Sequence, residues 1–153
     1  MYGDKKKIKI LFLCTGNSCR SQMAEGWARH LKGDVIEAYS AGVNPASLSQ
    51  RAVKVMADAG LDISGQKSKH IDDIIGIQFD YVVTVCDNAR EHCPVFPGRV
   101  RKIHKAFDDP SLVQGSEDEI IAAFTKTRDK IRTFVEMLTK SLEKQAERSC
   151  KQE

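Results

Sequence analysis

Apolar residues recur along this chain with two periods. Lys7 to Leu13 (KIKILFL), Val35 to Ser40 (VIEAYS) and Tyr81 to Val85 (YVVTV) are short runs rich in aliphatic and β-branched residues, the composition of strands. Val100 to Ala106 is a weaker run of the same kind, set between Pro97-Gly98 and Asp108-Asp109-Pro110. Between these runs the spacing changes to three and four. Ser21 to Leu31 carries Met23, Ala24, Trp27, Ala28 and Leu31 on one helical face, with Gly33 as a stop. Leu48 to Ala59 repeats the pattern and ends at Gly60. Ile71 to Ile75 reads as a short helix. Ser116 to about Lys144 reads as one long helix that opens with Ser116 three residues before Glu119, a capping-box spacing.

Strands therefore alternate with helices. That order predicts an α/β fold: an open, mostly parallel four-stranded sheet with helices on both faces. No linker or repeat divides the chain, so residues 1–153 are expected to form a single domain, with the charged tail after about Glu143 frayed. In such sheets ligands bind beyond the carboxyl ends of the strands. Cys14, Cys86 and Asp109 each follow a predicted strand, so the fold is expected to gather them at one edge.

The bulk composition narrows the classes. With 41% hydrophobic and 29% charged residues the chain is near the globular average. A net charge of +3 is too mild to argue for nucleic acid and fits a weak attraction for small anions. No run reaches the length of a membrane span, and the basic lead-in at Met1 to Ile10 lacks the apolar stretch of a secretory signal. A cytoplasmic monomer is expected. Five cysteines in a reducing compartment point to buried thiols, metal ligands or redox chemistry rather than to a disulfide framework.

The chemistry concentrates in Cys14-Thr-Gly-Asn-Ser-Cys-Arg-Ser21, a C-x5-R-S sequence between the first strand and the first helix. A free thiol, with a pKa near ~8.5, is only about 3% thiolate at pH 7. Backbone N–H groups converging at a helix N-terminus favour the anion. Gly16 is expected to adopt backbone geometry closed to other residues, Asn17 to brace the loop, and Ser21 to donate to the sulfur. Arg20 offers a planar fork for two oxygens of an anion. Cys19, inside the loop, is expected to face the packing side.

The segment Cys86-Asp-Asn-Ala-Arg-Glu-His-Cys93-Pro94 carries two more thiols. As a helix, its cysteines would share a face but stand about 10.5 Å apart along the axis, beyond the roughly 7 Å Cα separation a disulfide tolerates. Either the segment is a loop, or it unwinds on oxidation, or the thiols are unrelated. Zinc held by Cys14, Cys19, Cys86 and Cys93 is disfavoured by the spacings, and no metal site is expected. His70, His92 and His104 show no ligand spacing, and Cys150 reads as an incidental thiol. Asp109, pinned extended by Pro110, can protonate a leaving oxygen, although Asp-Pro is also a common turn.

Taken together, Cys14 to Trp27 (CTGNSCRSQMAEGW), Tyr39 to Gly42 (YSAG), Val82 to Cys86 (VVTVC), Cys93-Pro94 and Phe107 to Pro110 (FDDP) resemble the thioredoxin-coupled arsenate reductases, which share the fold of low-molecular-weight protein tyrosine phosphatases. The resemblance implies that Cys14 attacks arsenate. It implies that Arg20 and the amides of Thr15, Gly16, Asn17, Ser18, Cys19 and Arg20 hold the oxygens, that Ser21 supports the thiolate and that Asp109 protonates the departing hydroxide. Cys86 then attacks Cys14 and Cys93 attacks Cys86, leaving a Cys86–Cys93 disulfide that thioredoxin reduces. No tightly bound cofactor is implied, and phosphate or sulfate should compete for the same loop. Some members bind potassium through residues matching Asn17, Glu25 and Ser40 and an Asp after the residue matching Ser68. Lys69 stands at that last position here, and its ammonium is expected to replace the ion. The main alternative is a phosphatase of the same fold acting on aryl phosphates, although Ser111 and Leu112 replace the aromatic residues that follow Asp-Pro in phosphotyrosine-directed relatives. A non-catalytic, anion- or metal-responsive regulator is more distant, since Asp109 would have no use in it.

Overall fold

The structure, a computed structural model, describes residues 6–151, with side chains through residue 145. Met1 to Lys5 and the Cys150 thiol lie outside the described residues. Four strands, β1 (Ile8–Cys14), β2 (Ile36–Gly42), β3 (Tyr81–Thr84) and β4 (Arg101–His104), form one sheet in the order β2-β1-β3-β4. Every pairing is parallel, so the expected "mostly parallel" sheet is wholly so. The central strand is buried continuously from Ile10 to Cys14 rather than at alternate positions, because both faces of the sheet are covered.

The helices are α1 (Arg20–Lys32), α2 (Gln50–Asp58), α3 (Asp87–Glu91) and α4 (Glu117–Lys151), with single 3-10 turns at Ile71–Asp73 and Pro110–Leu112. Ser49 caps α2 by accepting from the Ala52 N–H (3.2 Å), and Gly60 follows the helix in a left-handed conformation (φ 87°). Ser116 caps α4 by accepting from Glu119 N–H at 3.2 Å, as the capping-box spacing predicts. That helix continues to Lys151, beyond the end expected near Lys144. The segment after β3 resolves into α3, five residues long, with Cys86 as its N-cap and Cys93 just past its end. No helix among the described residues is long and apolar enough to cross a membrane.

In-register parallel pairing puts the carboxyl ends of the strands side by side. Leu13 pairs with Thr84 and Thr84 with His104. Beyond the strands, Val85 N–H donates to Leu13 O (2.9 Å) and Phe107 N–H to Val85 O (3.0 Å). The ladder thus extends to the segments carrying Cys14, Cys86 and Asp109 and brings all three to one edge.

Candidate active site

The loop from Cys14 to Arg20 is shaped from outside. Val43 N–H donates to Cys14 O, Asn44 N–H to Thr15 O, Ala46 N–H to Gly16 O and Ser49 N–H to Ser18 O, at 2.8–3.1 Å. The Gln22 side chain donates to Asn17 O (2.9 Å). Successive carbonyls therefore face outward, and in a planar trans peptide the next N–H faces the opposite way. The amides of Thr15 to Cys19 are turned toward the sulfur side, a concave ring of donors of the kind that binds anions. Asn17 N–H reaches Cys14 Sγ at 3.2 Å.

The left-handed residue is Asn17 (φ 48°), not Gly16 as expected. A Cβ at Gly16 would meet only ordinary contacts. Asn17 tolerates the conformation because its fully buried side chain is fixed at both ends. Oδ1 accepts from Lys69 N–H (2.9 Å), and Nδ2 donates to Ser21 Oγ (2.8 Å). Ser21 Oγ lies 2.8 Å from Cys14 Sγ, so its hydroxyl can donate once that sulfur is a thiolate and has no hydrogen of its own. The sulfur of Cys14 thus has two hydrogen-bond partners, Asn17 N–H and the Ser21 hydroxyl. Cys19 is buried, with no hydrogen-bond donor to its sulfur among the described residues, and burial, together with the negative Asp109, pushes its thiol far above the usual range.

Arg20 points across to the acid segment. Its Nη1 donates to Phe107 O (3.0 Å) and its Nη2 lies 3.4 Å from Asp109 Oδ2. It therefore docks the acid segment on the loop, a contact the sequence did not announce. Asp109 is extended (φ −82°, ψ 109°), as Pro110 requires. Its Oδ1 accepts from Ser111 N–H (3.0 Å) and Oγ (2.6 Å).

Cys86 faces the loop. Asn88 Nδ2 donates to Thr15 Oγ1 (2.9 Å), and that hydroxyl is hydrogen-bonded to Cys86 Sγ at 3.3 Å. Ala89 N–H also approaches that sulfur, at 3.4 Å. Cys93 is half-buried, and its nearest partner is Pro94 O at 3.6 Å. Burial raises its pKa, with Lys102 opposing. Cys86 and Cys93 bracket an intact α3, so the loop alternative is set aside. Any bond between them requires that helix to open.

The residues matching a potassium site are bonded to one another or to the backbone. Ser40 Oγ donates to Glu25 Oε1 (2.8 Å), Ser68 Oγ donates to Gly16 O (3.1 Å), and Asn17 Oδ1 is taken by Lys69 N–H. The cation bonded to buried Glu25 is Arg29, at 3.2 Å from Oε2. The Lys69 ammonium donates to Lys67 O (2.9 Å) and also feels the Glu25 charge, which opposes the lowering of its pKa by burial. Among the described residues no group of His, Cys, Asp and Glu could hold a metal ion. His70 and His92 contact their near neighbours Asp72 and Asn88, whereas His104 bridges Thr84 and Asp87.

The sequence and fold have clear relatives. The chain is 51% identical over 122 residues to the arsenate reductase of Bacillus subtilis (strain 168), covering 80% of this chain and 88% of that protein. A solved arsenate reductase in the phosphate binding state superposes with a TM-score of 0.65 at 29% identity, over 86% of this chain and 95% of the other. The thioredoxin-dependent arsenate reductase of Corynebacterium glutamicum gives 0.68 at 27% identity, over 91% of this chain and 63% of the other. The family described as low molecular weight phosphotyrosine protein phosphatase matches residues 9–148. With its strand–loop–helix site and this match over nearly its whole length, the chain belongs to that family.

Proposed function

We propose that this protein reduces arsenate to arsenite through Cys14, Cys86 and Cys93, with thioredoxin as the electron donor. One observation carries the reading: the Cys86 thiol is hydrogen-bonded to Thr15, the residue next to the nucleophile, with a third thiol at the far end of the same short helix. A hydrolase needs no such second sulfur.

Arsenate lies against the ring of amides and Arg20. Cys14 attacks arsenic, and Asp109, which takes up a proton as Arg20 turns from it to the arsenate oxygens, gives that proton to the departing oxygen, which leaves as water. Cys86 then attacks Cys14 Sγ. The sulfur–arsenic bond breaks, its electron pair stays on arsenic, and arsenite departs. Cys93 attacks Cys86 Sγ and releases the Cys14 thiolate. Two thiols have then given the two electrons that take arsenic from the +5 to the +3 state. Thioredoxin reduces the Cys86–Cys93 bond and restores both thiols. Burial holds Cys93 in its weakly nucleophilic thiol form while α3 is intact, so opening the helix both brings it within reach and releases it. Phosphate and sulfate, which share arsenate's charge and shape, compete for the loop. The exposed Leu112 beside Asp109 offers no ring to stack on a phosphotyrosine, which ranks the phosphatase reading second.

The test is arsenate-dependent NADPH oxidation with thioredoxin and thioredoxin reductase, native chain against Cys93→Ser. The expected result is sustained turnover in the native chain and a single arsenite per Cys93→Ser molecule. Aryl phosphate hydrolysis with no arsenate turnover would instead identify a phosphatase.

A further inference from the structure

Because α3 must open for Cys93 to reach Cys86, it matters which end of the helix stays in place. At the Cys86 end, contacts come from outside the helix. His104, on β4, has Nδ1 2.7 Å from Thr84 Oγ1 and Nε2 2.9 Å from Oδ1 of Asp87, the residue directly after Cys86. Thr84 is buried and its hydroxyl orients the ring. On the other flank Asn88 is tied to Thr15 at 2.9 Å. The helix's own bonds, Arg90 N–H to Cys86 O and His92 N–H to Asn88 O, are lost when α3 opens. Thr84 and His104 belong to the sheet, and the Asp87 side chain, at the first position of α3, stays bonded to them when the later turn opens.

The Cys93 end has nothing comparable. Its N–H donates to Arg90 O at 3.4 Å, a bond within the opening segment. Its sulfur lies 3.6 Å from the next residue's carbonyl and is approached otherwise by the flexible Lys102 side chain, and Val95 beyond is 89% exposed. Arg90, 3.8 Å from Asp87 Oδ1, moves with the helix and cannot substitute for His104.

We propose that Asp87 and His104 form a positioning clasp that holds Cys86 aimed at the Cys14 adduct while the Cys93 end of α3 swings in. Neither side chain touches arsenic or a reacting sulfur; both act through the backbone on either side of Cys86. The proposal rests on the reductase reading above.

The step that senses the clasp is the exchange in which Cys86 attacks Cys14 and arsenite leaves. It is read by mixing enzyme in excess over arsenate, without thioredoxin, and following arsenite release. Misaiming a nucleophile by about 1 Å costs up to about a hundredfold. Asp87→Ala and His104→Ala are therefore expected to slow release at least about tenfold. Phosphate affinity, which reads only the Cys14 loop, should remain native. Asp87 is two-thirds exposed, so its truncation leaves the fold intact. Asp87→Asn keeps an oxygen to accept from Nε2–H and should restore release toward the native rate. A native release rate in Asp87→Ala overturns the clasp. So does a parallel loss of phosphate affinity, or an Asp87→Asn variant as slow as Asp87→Ala. Absence of arsenite release from the native chain would instead remove the reductase reading, and the clasp with it.

Discussion

Replacing Gly42 by alanine tests how the oxyanion loop is held. Gly42 closes β2 opposite Cys14 and has no side chain to announce a role. A Cβ built there would lie 2.5 Å from Thr15 O, 3.0 Å from Asn17 N and 3.1 Å from Asn17 Cβ. Ordinary contact begins near 3.5 Å, so the Thr15 peptide must retreat by roughly 1 Å. It cannot retreat alone, because Thr15 O also accepts from Asn44 N–H at 2.9 Å and the next N–H in the ring shares its plane. Overpacking of this kind costs about 1–3 kcal/mol of stability. The larger effect falls on the anion. A shift of that size in aligned donors lowers catalysis by up to about a hundredfold, and even one lost charge-assisted hydrogen bond, at about 1.5–3 kcal/mol, weakens phosphate binding roughly 10- to 150-fold. Phosphate affinity measured by calorimetry, together with arsenate turnover, reads both effects. If Gly42→Ala binds phosphate and turns over arsenate like the native chain, the loop is more compliant than its outward hydrogen bonds imply, and the account of how the amides are aimed is wrong.

Three further outcomes follow from the same geometry. Because burial raises the Cys93 pKa, its thiolate fraction at pH 7 lies below that of a free cysteine and grows as pH rises past the usual thiol range. Iodoacetamide labelling of the Cys93 peptide, followed by mass spectrometry, should be slow at pH 7, accelerate through alkaline pH and lose this lag on unfolding; labelling as fast as free cysteine at pH 7 would contradict the burial argument. Arg29→Met leaves buried Glu25 with Ser40 as its remaining partner and should lower stability by about 1–3 kcal/mol. The native chain should melt at the same temperature in potassium and sodium chloride, and a potassium-specific rise would contradict Arg29 as the cation that serves Glu25. Asp109→Asn, which cannot give up a proton, should slow the first step by about 10²–10⁴-fold while phosphate still binds, and an unchanged single-turnover rate would assign the acid elsewhere.

Much of this was legible because it lies in side-chain pattern. Tyr81 to Val85 and Lys7 to Leu13 were readable as strands since apolar residues fill both faces of a central parallel strand. The C-x5-R-S sequence marked the loop because its residue types have few other uses together. The position of the left-handed residue was less legible. Glycine is the default guess, yet Asn17 takes the conformation because its amide is held by Lys69 N–H and Ser21, and both contacts depend on tertiary structure. The hydrogen bonds from Val43, Asn44, Ala46 and Ser49 that turn the loop are made by backbone N–H groups and leave no mark on residue choice. Length defeated the reading of α3: five residues give no periodicity to count. Arg29 and Lys69 are both basic, and only the fold decides which ammonium or guanidinium reaches Glu25.

What finally separates four cysteines of one chain is the set of donors that reaches each sulfur. Cys14 receives Asn17 N–H and is hydrogen-bonded to the Ser21 hydroxyl. Cys86 is hydrogen-bonded to the Thr15 hydroxyl and receives Ala89 N–H. Cys93 is itself placed to donate, to Pro94 O, and burial disfavours its anion. Cys19 is buried beside Asp109, whose charge adds to the cost of a thiolate. The intact fold therefore sets Cys14 and Cys86, each in contact with a loop hydroxyl, ahead of Cys93 and leaves Cys19 out. It is the same order in which the proposed relay uses them. The third thiol enters only after α3 opens, and with Cys86 already committed to a bond with Cys14, the fold keeps Cys86 and Cys93 from pairing before arsenic has left. A premature Cys86–Cys93 disulfide would consume the two electrons without reducing anything. A helix too short to be stable alone, but long enough to hold two sulfurs apart, prevents that.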